Sequence, residues 1–99
     1  MELSEWHRWW KTSGHAELYR LLLLWWDPIG IKAIPEAQGE YRGYSGRIGR
    51  LLREGRGEAE IAEFLRDAEG HMGLSGNEEL SELVAAKIVS WYAEAMRTA

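Results

Sequence analysis

The 99-residue chain has no cysteine, so disulfide bonds and thiolate metal sites are excluded and an oxidising compartment is not implied. Valine and isoleucine are few, and apolar and polar residues nowhere alternate over several positions, so strands are not expected. The longest apolar run, residues 21–26, is far shorter than the ~20 residues that cross a bilayer. No signal-peptide cleavage pattern follows it. We therefore expect a cytoplasmic protein that makes no membrane contact.

The composition that remains is that of a globular domain, with 45% hydrophobic and 28% charged residues. A chain of this size buries roughly 65% of the surface that it exposes when unfolded, which is enough for one core. We therefore predict a single domain over residues 1–99. The net charge of −4 argues against a general polyanion-binding protein.

Helical periodicity recurs four or five times, and glycine or proline separates the segments. The first segment is a tryptophan-rich helix within residues 1–14, with Ser4 as its predicted N-cap and a break or kink at residues 12–14. The second, residues 15–26, is apolar on nearly every side. This pattern predicts either the central helix of the domain or half of an oligomer contact.

A turn containing Asp27, Pro28 and Gly30 is predicted to end the second helix, because Pro28 cannot continue the helical hydrogen bonds. Two interpretations of Asp27 stay open. Burial beside Trp26 would raise the pKa of the carboxyl group, as happens in functional carboxylates. In the interpretation that we favour, the carboxylate instead accepts backbone N–H bonds within the turn.

Three more helices are expected beyond a loop. The third starts near Ser45, because glycines at 43, 46 and 49 would each cost about 1 kcal/mol in a helix interior, and the Gly-Arg-Gly at 55–57 ends it. The fourth ends at a left-handed cap, Gly73. The fifth starts at Ser75 or Asn77 and ends near residue 97.

These elements predict an all-α fold of four to five short helices in one orthogonal or bundle-like domain. Residues 15–75 would carry the helices with the most distinctive motifs, between the tryptophan-rich N-terminal helix and a C-terminal helix in residues 76–99.

Several short motifs follow one another in order between residues 20 and 75. They include Trp26-Asp27-Pro28-Ile29-Gly30, Leu51-Leu52-Arg53-Glu54-Gly55 and Met72-Gly73-Leu74. This order resembles a group of short bacterial proteins built on a W-D-P-x-G motif and classed as a domain of unknown function. The resemblance implies a small, cytoplasmic, helical protein without established catalytic residues. Some similar proteins are encoded beside secreted toxins, which implies an immunity role.

Side chains suited to catalysis are few and scattered. His7, His15 and His71 lack metal-binding spacing, and a candidate acid–base pair, Glu69 with His71, would point apart at i and i+2 of a helix. There is no nucleophile motif, and the glycines before residue 50 form no phosphate loop. We expect no catalytic activity, no metal and no cofactor.

Charge is segregated along the chain. Residues 41–56 hold five arginines against one glutamate, and residues 57–99 hold nine acidic side chains against three basic ones. The arginine face of the third helix could contact nucleic-acid phosphates, or it could pair with the acids that follow it, which we favour. Glu60, Glu63 and Asp67 should project to water, where they either confer solubility or steer a basic partner.

Six tryptophans are more than so small a core easily encloses. Trp26 and Trp91 are the expected core residues, whereas Trp25 cannot share a face with Trp26. Since tryptophan is enriched in binding hot spots, some of the others are candidates for contact with a partner. The candidate partner-binding residues are Trp6, Trp9, Trp10, Trp25, Glu60, Glu63 and Asp67, with core packing an equal alternative for Trp6, Trp9 and Trp10.

The leading hypothesis is a non-catalytic helical domain that binds a protein partner. In its most specific form, this is an immunity or antitoxin-type protein that occludes a cognate, basic toxin. The alternatives are a homo-oligomeric structural domain, with a dimer formed through the N-terminal third, and a weak nucleic-acid contact through the arginine face.

Overall fold

A computed structural model describes residues 2–26, 38–71, 73 and 78–98, which form four helices and contain no strand. Helix α1 covers residues 3–26, α2 is Gln38–Arg53, α3 is Glu58–His71 and α4 is Glu78–Thr98. The predicted all-α class is confirmed. The predicted turn at Asp27, Pro28 and Gly30 lies outside the described residues, as do the predicted starts of the last helix at Ser75 or Asn77.

The cap of α1 differs from the prediction. Glu2 is the N-cap, and its carboxylate accepts the backbone N–H of Glu5 at 3.0 Å. Ser4, the predicted cap, instead donates its hydroxyl to the same carboxylate. The Ser4 hydroxyl and the Glu5 N–H together hold the pKa of Glu2 below its usual value, because both stabilise the charged form.

Helix α1 does not break at residues 12–14, where the sequence predicted a break or kink. The chain passes from α-helix (Leu3–Trp9) into a π-helical turn (Trp10–Gly14), then repeats the change from His15–Leu21 into Leu22–Trp26. The His15 N–H bonds to the Trp10 carbonyl five residues back, and the Thr12 hydroxyl donates to the Arg8 carbonyl at 2.9 Å. The Thr12 hydroxyl thus provides the Arg8 carbonyl with a hydrogen bond at the point where the helix changes from α to π.

A four-residue repeat explains why α1 needs π-helical turns. In an ideal α-helix each step of four residues drifts about 40° around the axis, so a long stripe of this kind would leave the core. A π-helical turn holds one residue more than an α-helical turn and so counters the drift. The repeat thereby stays on the side that packs against the other helices. Its members are Trp6, Trp10, Gly14, Leu18, Leu22 and Trp26.

Deleting one residue from a π-helical turn should therefore be tolerated. We expect removal of Ser13 to leave an α-helical turn and to change the free energy of unfolding by less than about 1 kcal/mol, or a few degrees in Tm. The matched control is removal of Ser90 in α4, which should rotate Trp91 and Tyr92 by about 100° away from α1 and abolish cooperative unfolding. Thermal melts followed by circular dichroism test both. Equal losses would contradict this account of the π-helical turn.

Helix α2 begins at Gln38, well before the predicted start near Ser45, and contains all three glycines in its interior. Gly49 is buried, and a Cβ atom at that position would lie 2.4 Å from the Trp10 ring of α1. The glycine therefore makes room for an aromatic ring instead of ending a helix. Gly46 has open space around it. The prediction was wrong because it counted only the low helix propensity of glycine. The contact between Gly49 and the Trp10 ring does not show in the local sequence.

The remaining helix ends agree with the sequence. Gly55 and Gly73 both have φ of +82°, the left-handed conformation that glycine adopts without strain, and they follow α2 and α3. The most extensive interface is that between α3 and α4, and α1 contacts both α2 and α4. The core lies between the four helices. Its fully buried side chains include Leu18, Leu22, Tyr41, Ile48, Ile61, Leu65, Val84 and Ile88.

Candidate interaction surface

The N-terminal tryptophans form an aromatic cluster against α4. The Trp6 ring stacks on Trp10 at 5.3 Å between centroids, and its Nε1 donates to the Tyr92 hydroxyl at 2.8 Å. The ring centroids of Trp9 and Trp91 are 5.8 Å apart. Trp6 is buried, and Trp9 and Trp10 are half-buried. The N-terminal part of α1 thus packs against the C-terminal part of α4.

An arginine, a histidine and a hydrogen bond complete this cluster. The Arg53 guanidinium lies over the Trp6 ring at 5.5 Å, and His15 stacks on Trp10 at 5.1 Å. The Trp91 Nε1 donates to the Glu17 carboxylate at 2.9 Å. Because of these contacts, much of the surface of Trp6 and Trp10 packs against other residues of the chain. A partner would contact only the part of the cluster that is left exposed.

Trp25 stands apart from the cluster and remains half exposed. Its side chain is 51% exposed, whereas Trp26 is 3% exposed and contacts Tyr41 at 5.2 Å between ring centroids. The last π-helical turn of α1 therefore separates two adjacent indoles as the sequence predicted. The Lys87 ammonium lies 4.0 Å from the centre of the Trp25 ring, in cation–π contact.

Leu83 extends the apolar surface around Trp25. It is 52% exposed and stands one turn before Lys87 on α4, so the two side chains share a helix side. Leu24, next to Trp25 in the chain, is also exposed. We call Leu24, Trp25, Leu83 and Lys87 the Trp25 patch. Trp25 was among the residues predicted from the sequence, whereas Leu83 was not, and its only signal was its position off the apolar stripe of α4.

The arginines of α2 are exposed, as predicted, and ion pairs within the chain are formed by Arg50 of α2 and by Arg56, which follows the helix. Arg50 contacts Glu54 at 3.1 Å, and Arg56 contacts Glu60 at 3.3 Å across the α2–α3 turn. Of these two pairs, Arg56–Glu60 matches internal pairing with the acids of the next helix, which the sequence favoured, whereas Arg50 pairs with Glu54 of its own segment. Arg42, for its part, lies over the Tyr19 ring at 5.4 Å.

The acidic residues of α3 divide into exposed and buried. Glu60, Glu63 and Asp67 are exposed, as predicted, and Glu60 is the one held by Arg56. Glu69 is buried, whereas the neighbouring His71 is exposed and its Nδ1 lies 3.0 Å from the Asp67 carbonyl oxygen. The predicted divergence of Glu69 and His71 therefore matches their burial. Since a carbonyl only accepts, the His71 Nδ1 is the donor.

The three histidines lie in separate surroundings. His7 lies 3.2 Å from an Arg53 nitrogen, while His15 and His71 have the neighbours described above. Among residues 2–26, 38–71, 73 and 78–98, no group of three or more His, Cys, Asp or Glu side chains could hold a metal ion. None of the helices in this part of the chain has both the length and the apolar character needed to cross a membrane.

Comparisons of this chain with models of protein families, with curated proteins and with solved structures found no match.

Proposed function

We propose that this chain is a non-catalytic domain that binds a protein partner through the Trp25 patch. The observation that carries the proposal is the exposure of Trp25 and Leu83, two apolar side chains on different helices that are both neighbours of Lys87. Tryptophan at the centre of a contact is the side chain most often found to dominate binding energy. Lys87 restricts the indole before any partner arrives, which lowers the entropic cost of binding.

The charge around the patch favours a basic partner. Glu79 stands one turn before Leu83 on the same side of α4, and Glu78 and Glu82 are also exposed. An apolar centre with an acidic border is complementary to an apolar surface bordered by lysine and arginine. The resemblance to W-D-P-x-G proteins supports the more specific proposal of an immunity-type protein that occludes a basic toxin. The cytoplasmic location stays a prediction.

Site-specific photo-crosslinking tests the proposal. A benzophenone amino acid placed at Leu83 in the full-length chain, expressed in its native host, should yield one adduct with a basic protein. The matched control is the same probe at Leu3, which is exposed on another part of the molecule and should not yield that adduct. The adduct should disappear in a Trp25→Ala background.

Three other outcomes would contradict the proposal. An adduct of twice the chain mass would assign the patch to a second copy, as in the homo-oligomeric alternative. Equal yields at Leu83 and Leu3 would mean random collisions, and an adduct with nucleic acid would assign the surface to the third alternative.

The acidic residues of α3 provide a kinetic test on the purified complex. If they steer a basic partner, the association rate should fall steeply with salt while the dissociation rate changes little. Changing Glu60, Glu63 and Asp67 together to lysine should then slow association by about tenfold or more. If the association rate changes neither with salt nor with the triple substitution, these acidic residues contribute to solubility alone.

A further inference from the structure

A groove of about 380 Å³ lies between α2 and α3, on the edge of the domain that does not include the Trp25 patch. Its volume falls within the range of small-molecule sites. Tyr44 of α2 and Phe64 of α3 both line it, with their rings edge to face at 6.1 Å. The two half-buried rings provide an aromatic surface in the groove.

Glycines leave the α2 wall of the groove open. Gly39 and Gly43 stand one helical turn apart, and both line the groove. Among the residues that the structure describes, a Cβ atom at either position would meet nothing within 4 Å. Both glycines are exposed and lie within a helix, where glycine costs about 1 kcal/mol relative to alanine, and no contact inside the described chain requires them. Their effect is to let a bound molecule approach the α2 backbone.

Opposite charges line the same groove. Arg47 comes from α2, and Asp67 comes from α3. The two side chains form no ion pair with each other or with any other side chain in the described part of the chain. His71 lies beside Asp67 and donates its Nδ1 proton to the Asp67 carbonyl, which leaves Nε2 as an acceptor in the neutral ring. The groove therefore offers a cation for an anionic group and an anion for a cationic group.

We infer that this groove binds a small aromatic zwitterion of amino-acid size. The aromatic ring of the ligand packs on Tyr44 and Phe64, its carboxylate meets the Arg47 guanidinium, and its ammonium group meets the Asp67 carboxylate. A dipolar ligand satisfies both charges of the groove at once, whereas a simple anion or cation leaves one of them unused. This inference is independent of the proposed protein partner, because it rests on residues outside the Trp25 patch.

Three related probes test the ligand chemistry. L-Phenylalanine carries both charges, 3-phenylpropionate only the carboxylate and phenethylamine only the ammonium group. In a titration followed by ¹H–¹⁵N correlation spectra of the full-length chain, L-phenylalanine should shift the amides of Gly39 and Gly43 with a Kd of about 1 mM or tighter. The amide of Gly55, outside the groove, should not move. Each singly charged probe should bind about fivefold more weakly.

Substitutions in the groove should separate the contributions of ring and charge. Gly43→Leu fills the groove and should reduce L-phenylalanine binding by at least about tenfold, since the leucine occupies the space of the ligand. Gly46→Leu in the same helix, also with open space around it but outside the groove, should leave binding unchanged. Arg47→Gln should weaken 3-phenylpropionate but not phenethylamine, and Asp67→Asn should do the reverse.

The spectra also show whether each variant is folded. The inference is overturned if no groove amide shifts at saturating L-phenylalanine, or if Gly43→Leu and Gly46→Leu bind alike. Equal binding of all three probes would also overturn it, because it would assign the site to the aromatic ring alone.

Discussion

Trp26→Ala is expected to lower the free energy of unfolding by about 3–5 kcal/mol. The Trp26 side chain is buried in the core, and its ring contacts Tyr41 and Tyr44. Truncation removes this apolar burial and leaves a cavity that the surrounding helices can fill only in part. Since a domain of this size is stable by roughly 5–15 kcal/mol, the variant should be close to unfolding. Urea denaturation followed by far-ultraviolet circular dichroism measures the loss.

Trp25→Ala is the matched control, because it makes the same chemical change one position away. Half of the Trp25 side chain is already exposed, so we expect a loss of about 1–2 kcal/mol from the remaining burial and the Lys87 contact. The variant should stay folded and lose its partner. If the two alanine variants lose equal stability, the separation of the two indoles into core and surface is wrong.

Gly49→Ala should destabilise the domain by about 1 kcal/mol net, although alanine is the better helix former. The new Cβ would lie 2.4 Å from the Trp10 ring, and this ring is held in place by its stacking on Trp6. Forcing an atom into such a contact typically costs 1–3 kcal/mol, occasionally more, and this exceeds the gain of about 1 kcal/mol in helix propensity. Chemical denaturation gives the difference directly.

Gly46→Ala in the same helix should have the opposite sign. Its Cβ would meet nothing within 4 Å in the described part of the chain, so the substitution should stabilise the domain by about 0.5–1 kcal/mol. A double-mutant cycle adds a second check: Trp10→Leu should remove most of the penalty of Gly49→Ala, because the clashing ring is gone. If Gly49→Ala stabilises as Gly46→Ala does, α2 and α1 are not in contact at this point.

The helical class and several helix ends follow from local sequence patterns alone. Leucine-rich runs at helical spacing, with few β-branched residues, leave an all-α domain as the only consistent arrangement. The left-handed conformation of Gly73 was predicted, whereas Gly55 was predicted only as part of the segment 55–57 that ends α2, and its left-handed φ was seen only in the structure. The difference in burial between Trp25 and Trp26 was predictable as well, since neighbouring residues on a helix point in different directions.

The start of α2, the continuity of α1 and the surroundings of Trp25 depend instead on contacts between helices. Gly49 lies inside a helix despite the low helix propensity of glycine, because the Trp10 ring, 39 positions earlier in the chain, occupies the space that a Cβ atom would fill. The π-helical turns of α1 follow from a four-residue repeat that must stay in contact with two other helices. Lys87 of α4 lies over Trp25 of α1, and Arg47 of α2 lines the same groove as Asp67 of α3, because separate helices pack side by side. Local propensity describes a residue and its near neighbours in the chain, whereas these features depend on which distant side chains share the same volume.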